Sequence, residues 1–330
     1  MKRFAKILVK GIAFLVALVA VLVIGFRVAS MLRESDMAQD AAPKSGHYVK
    51  AGDVNIFIQE KGPTDGPAVV FIGGTMAWSE VWRDILDPVA AAGFRTVAID
   101  LPPFGFSERP DSNGYGPVNQ SGRIIGVLDA LGIQKATLVG HSFGGGATVE
   151  AALRNSERVT SLVLVDVALG LNAQESAPGV VDWLLNRRFL RNAAVSLIFT
   201  NPPILAYGVK INFFDKTKAQ EKQVEVFKNP LGVSGTTNAV GDWWVHDLMA
   251  TPQNAVLRDR ASYAQFSPPV LVVWGRDDAV TPLAQGEEIA SLFPNSEMTI
   301  FDRNNHVPHL EETGPFNDRL IKFLRDHAAP

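Results

Sequence analysis

The chain predicts an α/β fold, a mostly parallel sheet covered on both faces by helices, and three observations predict it. Short apolar runs of strand length recur around Val69, Val97, Thr137, Leu162, Val270 and Met298. Helical segments fill the gaps between them, as in Gln120 to Leu131, Gly145 to Arg154 and Pro282 to Leu292, and such alternation favours parallel pairing under two layers of helices. Composition agrees, because 330 residues, 47% hydrophobic and 20% charged, supply one large α/β domain with an insertion.

At the N-terminus, Lys2, Arg3, Lys6 and Lys10 precede Gly11 to Phe26, a run without a charge. At about 1.5 Å per residue this run spans about 24 Å, short of a hydrocarbon core of about 30 Å. Snorkelling by Lys10 and Arg27 extends the usable helix to Ile7 through Leu32. Residues 1–33 are therefore expected to anchor the chain in a membrane. A cleaved signal peptide is the alternative, with Val28 and Ser30 as small residues at the cleavage site, although Arg27 and the long apolar core argue against it; a helix merely buried in the protein is a third reading. Under the positive-inside rule the four cations stay cytoplasmic in both membrane readings, which places the rest of the chain on the extracytoplasmic side. Residues 34–46, polar and alanine-rich with Pro43 and Gly46, read as a linker. His47 to Val49 and Val54 to Ile58, parted by Gly52-Asp53, then form an opening hairpin and begin the first core segment, 47–168.

Within that segment Gly140-His141-Ser142-Phe143-Gly144 stands between the apolar run Ala136 to Val139 and a small-residue stretch of helical character. Gly-x-Ser-x-Gly in this setting describes a strand-to-helix turn that holds a serine hydroxyl out of a strained backbone. A Cβ at Gly140 or Gly144 is expected to collide with neighbouring chain. Downstream, the buried strand Pro269 to Trp274 leads into Asp277-Asp278, and the strand Glu297 to Phe301 leads into a loop holding His306 and His309. Both loops follow strands, at the edge where parallel α/β sheets place their chemistry. Asp166, at the end of Leu162 to Val165, is a further acid at that edge. The chain order is serine, aspartate, histidine.

Three further stretches sharpen this pattern. Ala98-Ile99-Asp100-Leu101-Pro102-Pro103-Phe104-Gly105-Phe106-Ser107, Trp274-Gly275-x-x-Asp278-x-x-x-Pro282 and His306-x-Pro308-x-x-Glu311 stand in the right order around the serine turn. With them the chain, from about Val49 to Leu324, resembles the α/β-hydrolase superfamily, although that family usually has glycine at Pro103 and a loop beginning His-Gly where Gly73-Gly74 stands here. The resemblance implies an α/β-hydrolase fold and a triad of Ser142, Asp278 and His306, with Asp278 favoured over Asp277 and Asp166, and His306 over His309. His141 is expected to pack beside the turn.

The chemistry of such a set is general. A serine hydroxyl needs a base to accept its proton as it attacks. An imidazole, with an ordinary pKa of about 6.5, serves as that base, and a carboxylate orients it. The oxyanion that follows takes two backbone N–H donors. Phe143, after the nucleophile, supplies one. The loop Gly73-Gly74-Thr75-Met76 supplies the other, from Thr75 first and Gly74 second.

Between core segments 47–168 and 268–330, residues 169–267 break the strand-helix alternation and carry periodic apolar stretches at Val180 to Leu190 and Ala193 to Phe199. They read as an inserted helical cap, which in the family roofs the active site. Trp183, Phe189, Phe199, Tyr207, Phe213, Phe214, Trp243 and Trp244 are expected to form mostly the core of that cap. Any that line the cavity imply a hydrophobic substrate. Arg187, Arg188 and Arg191 either lie on a solvated face or bind a carboxylate.

A net charge of -3 without a basic aromatic patch excludes nucleic acid as the expected partner. The absence of cysteine excludes disulfides and thiol chemistry, and no metal-ligand spacing or cofactor motif is present. The sequence thus points to a membrane-anchored serine hydrolase that cleaves a carboxylic ester of a hydrophobic small molecule through an acyl-enzyme. The alternative on the same architecture is a carbon-carbon bond hydrolase of the meta-cleavage-product type, similar around Ser142-Phe143-Gly144-Gly145 and suited to cap arginines. A non-catalytic binding protein on this fold is the reading from a different class, and it would be expected to lack a member of the triad.

Overall fold

The structure, a computed structural model, describes residues 2–110, 114–171, 179–248 and 254–327. Parts of the expected cap, 172–178 and 249–253, lie outside these residues. The core is one eight-stranded sheet of β1 (His47–Ala51), β2 (Val54–Lys61), β3 (Ala68–Ile72), β4 (Arg95–Ile99), β5 (Ala136–His141), β6 (Val159–Val165), β7 (Val270–Gly275) and β8 (Ser296–Phe301). Their spatial order is β1-β2-β4-β3-β5-β6-β7-β8. β1 and β2 form the antiparallel hairpin, β2 pairs antiparallel with β4, and the other pairings are parallel.

Alternation along each strand divides the core into two layers, since successive side chains leave opposite faces. Val70, Ile72, Leu138 and Val272 pack with residues of the helices 117–130, 144–154 and 283–292. Val69, Phe71, Val139 and Val273 pack with those of 83–91 and 313–327. Central strands buried on both faces explain the continuous apolar runs seen in the sequence.

In chain order the longer helices are α1 (Lys2–Arg33), α2 (Arg83–Ala91), α3 (Pro117–Ala130), α4 (Gly144–Arg154), α5 (Val180–Leu185), α6 (Arg188–Ile198), α7 (Pro202–Ile211), α8 (Glu221–Lys228), α9 (Thr236–Trp243), α10 (Leu283–Leu292) and α11 (Thr313–His327). α5 to α9 form the insertion between β6 and β7. The expected helix from Val180 to Leu190 is broken, because Arg187 adopts an extended backbone, φ -86° and ψ 104°, and α6 starts after it. The cap is centred on Phe213, Val224, Leu231, Val240 and Trp243, which pack with Met76, Phe104 and Tyr115 of the core. The expectation for the cap aromatics is corrected in part. Phe213 and Trp243 are buried, but Trp183, Phe189, Tyr207 and Phe214 are exposed.

α1 contains a stretch, Val9–Arg33, long and apolar enough to cross a membrane by length and composition. Its last turn rests on the cap, where Ser30 Oγ lies 2.9 Å from Ser196 Oγ and the Arg33 guanidinium donates to the Thr200 carbonyl. Residues 34–46 are more ordered than a linker. The Glu34 carboxylate accepts from the Thr237 N–H at 3.2 Å, near the start of α9, where backbone donors lack helical partners. Asp36 exchanges backbone hydrogen bonds with Gly232 and Ser234, and Ala38–Ala41 forms a helical turn. The Glu34 carboxylate and the Asp36 backbone thus both pair with the cap, a docking that composition alone does not reveal.

Candidate active site

Ser142 sits between β5 and α4 with φ 51°, a left-handed backbone that residues with a Cβ rarely adopt. The turn is clamped on both sides, since the Ser142 N–H donates to Val165 O at 3.1 Å and its carbonyl accepts from Ala168 N–H at 2.9 Å. The flanking glycines meet the expected crowding. A Cβ on Gly144 would stand 2.1 Å from the Gly73 carbonyl, and one on Gly140 2.5 Å from Thr148 Oγ1.

The structure brings Ser142, Asp278 and His306 together and leaves Asp277 exposed. His306 Nε2 lies 2.8 Å from Ser142 Oγ, and His306 Nδ1 lies 2.8 Å from Asp278 Oδ2. Asp278 also accepts from the Val280 N–H at 2.7 Å, the Thr281 N–H at 2.9 Å and the Thr281 hydroxyl at 2.6 Å. Burial alone would raise its pKa, but the hydrogen bonds from His306 and Thr281 outweigh it and hold the carboxyl at about 2. An ionised acid accepts only, so His306 Nδ1 carries the ring proton and Nε2 is free to receive one from Ser142.

Asp166 lies directly behind this pair. It is buried, its φ is 43°, and Oδ1 accepts from the Gly275 N–H at 2.9 Å while Oδ2 has no partner. One polar atom from each of Asp166, Asp278 and His306 fits within 4.8 Å. Burial, and then the negative charge of Asp278, push the Asp166 pKa well above the usual carboxylate range.

Two other histidines support His306 from below. His141 Nε2 donates to the His306 carbonyl at 2.9 Å, and its ring stacks 4.5 Å from His309, which in turn lies 4.8 Å from Trp82. Burial, followed by repulsion from neighbouring imidazoles, holds His141 down at about 3 and His309 well below the ordinary value. Both are neutral packing groups, and His309 is not on the surface. Glu311 ties the same loop to the cap. Its carboxylate accepts from the Asn305 N–H at 2.9 Å and from the Phe214 and Asp215 N–H groups at 2.9 and 3.1 Å. The His306 N–H donates to Asn212 O at 3.1 Å.

The loop Gly73-Gly74-Thr75-Met76 runs beside the serine, and a Cβ built on Gly74 would stand 3.3 Å from Ser142 Oγ. Among the described residues, the N–H groups of Phe143, Gly74 and Thr75 donate to no protein acceptor. The space left at Gly73 is closed by Ala77, whose Cβ would lie 3.1 Å from a side chain there. Next to the serine turn lies a small cavity of about 40 Å3, lined among others by Gly73, Phe104, Tyr115, Gln120, Phe143 and Asp247. As it stands, it has room for no more than a few waters. No lysine or arginine lines it, and burial pushes its acid, Asp247, up to about 7. Arg191 is ion-paired with Asp242 and is not among the residues that line this cavity. His141 packs beside the turn as expected, whereas Thr281 and the second function of Glu311 escaped sequence reasoning. Only Glu311 left a signal, its place in the histidine motif.

The family model for the alpha/beta hydrolase fold matches residues 67–313. The chain belongs to the α/β-hydrolase family. A 2-hydroxymuconate semialdehyde hydrolase of Pseudomonas putida is 32% identical to this α/β-hydrolase over 254 residues, 72% of the chain and 82% of the relative. A 2-hydroxy-6-oxononadienedioate/2-hydroxy-6-oxononatrienedioate hydrolase of Cupriavidus pinatubonensis is 29% identical over 256 residues, 76% of the chain and 83% of the relative. Among solved structures, a bacterial membrane phospholipase A superposes with a TM-score of 0.67 at 22% identity, covering 99% of both chains, so the likeness in fold includes the N-terminal helix. The protein is accordingly a hydrolase of this fold.

Proposed function

We propose that this α/β-hydrolase cleaves an uncharged, hydrophobic carboxylic ester through an acyl-enzyme on Ser142. The observation that carries the serine chemistry is the pair of 2.8 Å contacts joining Ser142, His306 and Asp278. In this reading His306 Nε2 takes the hydroxyl proton as Ser142 Oγ attacks the carbonyl. The Phe143 N–H and that of Thr75 or Gly74 receive the oxyanion, and His306 returns the proton to the departing alcohol. Water then repeats the sequence on the acyl-enzyme, with His306 as its base. Asp278 stays ionised throughout.

The substrate class rests on the cavity, which is apolar and holds no cation. The names of the relatives favour a second reading, cleavage of a carbon-carbon bond in a ring-fission product, and on names alone that reading stands ahead. Its substrates are carboxylates, and a buried carboxylate calls for a paired cation. None lines the cavity, and residues 111–113, 172–178 and 249–253 contain no lysine or arginine. A panel of p-nitrophenyl esters of rising chain length beside a meta-cleavage dienoate tests the choice. Ester turnover without dienoate turnover is expected; comparable kcat/KM on the dienoate would reverse it. A fluorophosphonate probe should label Ser142 and leave Ser142→Ala untouched, whereas a protein that only binds ligands would not be labelled. We further propose that α1 anchors the enzyme in a membrane with the catalytic domain on the extracytoplasmic side, supported by the Val9–Arg33 stretch and the cations before it.

A further inference from the structure

We infer that the α6–α7 face of the cap rests on the lipid bilayer and that substrate reaches Ser142 from the lipid phase. The inference builds on the proposed anchoring by α1 and the proposed ester chemistry.

Three independent features meet on this face. The first is exposed apolar area on the cap, far from solvent-shy packing. Trp183, Phe189, Ile204, Tyr207 and Ile211 are 58, 64, 45, 66 and 44% exposed. Ile204, Tyr207 and Ile211 follow one another at spacings of three and four, so they form one stripe along α7, while Leu205 and Val209 of the same helix face the cap core. α6 and α7 meet at 59° and together are apolar enough for a membrane segment, yet each buries its other side in protein. An exposed apolar stripe of this kind marks a contact surface.

The second feature is charge. From Trp183 to Phe214 there are three exposed cations, Arg187, Arg188 and Lys210, and no aspartate or glutamate, Arg191 being buried against Asp242. The Arg187 guanidinium lies 4.8 Å from the Trp183 ring centre, an aromatic and a cation side by side. Aromatic rings with long cationic side chains suit the headgroup level of an anionic bilayer.

The third is continuity with α1. The last turn of that helix lands on α6 through Ser30 and Ser196, and Met31 and Leu32 beside the contact remain exposed. A span that ends there leaves the bilayer at this face. From the same place an aromatic path leads inward: Phe199, at the junction of α6 and α7, stacks on Trp243 at 5.9 Å, and Trp243 stacks on Phe143 at 5.0 Å. Displacement of the junction by lipid is thereby relayed to the residue after the nucleophile. The substrate this geometry favours is an amphiphilic ester resident in the membrane.

The chain has no cysteine, so Tyr207→Cys introduces a unique site for an environment-sensitive fluorophore. Full-length protein is reconstituted into anionic vesicles that contain nitroxide-labelled lipid, with a Lys322→Cys label on α11 as the control. Blue-shifted emission and quenching at position 207 alone are expected. A water-exposed label at 207 in protein that stays with the vesicles overturns the inference, and so does a label shielded without lipid quenching that cross-links to a second copy. In a second measurement, Ile204→Asp with Tyr207→Asp should lower kcat/KM on a long-chain ester embedded in vesicles at least about tenfold and change turnover of soluble p-nitrophenyl acetate less than about twofold. Equal loss on both esters, or on neither, overturns it. Failure of the wild-type enzyme on the soluble ester would instead refute the proposed function.

Discussion

Ser142 holds a backbone conformation that costs on the order of 1–3 kcal/mol for a residue with a Cβ, and the hydrogen bonds to Val165 and Ala168 keep it there. The acid behind the histidine is equally constrained. Asp278→Asn keeps the shape but offers the ring a mixed donor and acceptor, so kcat should fall by roughly 10^3 to 10^4 with unchanged near-ultraviolet circular dichroism; activity within tenfold of wild type would remove Asp278 from its proposed role. Asp247 carries a pH prediction. Its pKa of about 7 makes it neutral below that pH and charged above it, inside an apolar cavity. KM for a hydrophobic ester should therefore rise above pH 7 more than kcat changes, and Asp247→Asn should flatten the rise. At this scale Ser142, Asp278 and His306 were legible because each lies in a motif after a strand. Thr281 was not, since its bonds fold back onto Asp278 three residues away, and His141 was legible as packing beside the turn but not as a donor to the remote His306 carbonyl.

Among the elements, the central strands were the most legible, because burial on both faces leaves apolar runs at 68–72, 162–165 and 270–274. The cap was legible as helical but not in its parts. Periodicity signals that a helix has an apolar face and does not say whether that face meets protein, which is why Tyr207 and Phe189 were placed inside and stand outside. The break at Arg187 has no proline or glycine to announce it. Trp243 joins the elements, with rings of Phe104 and Phe143 each at 5.0 Å. Trp243→Ala should destabilise the protein by about 3–5 kcal/mol in urea unfolding. A loss below about 1 kcal/mol would mean that the cap and core do not share this contact in solution. Gly144→Ala drives a methyl into the Gly73 carbonyl, backbone against backbone, and a loss of about 1–3 kcal/mol is expected.

The whole molecule combines opposing titrations. Asp100 and Asp247, raised to about 6 and 7 by burial, stabilise the fold below about pH 4 and lose that contribution as pH rises through those values. Asp166 acts in the same direction. His141 and His309 are lowered instead, so their contribution is present above about pH 6.5 and is lost as pH falls towards 3. Asp278, lowered to about 2, is likewise lost only in strong acid. Between about pH 4 and 6.5 the two sets oppose one another, and above that range Asp247 completes its titration. Urea midpoints should form a plateau over that range and decline by pH 8.5, less so in Asp247→Asn; a midpoint that climbs steadily to pH 8.5 would contradict the buried acids. At this scale the order of core, cap and core was legible, but the docking of Glu34 and Asp36 was not, because a polar stretch looks solvated until the donor to the Glu34 carboxylate and the backbone pairing of Asp36 are seen. The Glu311 carboxylate, shared between Asn305 and residues 214 and 215, leaves one further mark on how the enzyme works. Roof and imidazole hang from a common bracket, so a swing of the cap that kept these bonds would draw His306 out of line with Ser142.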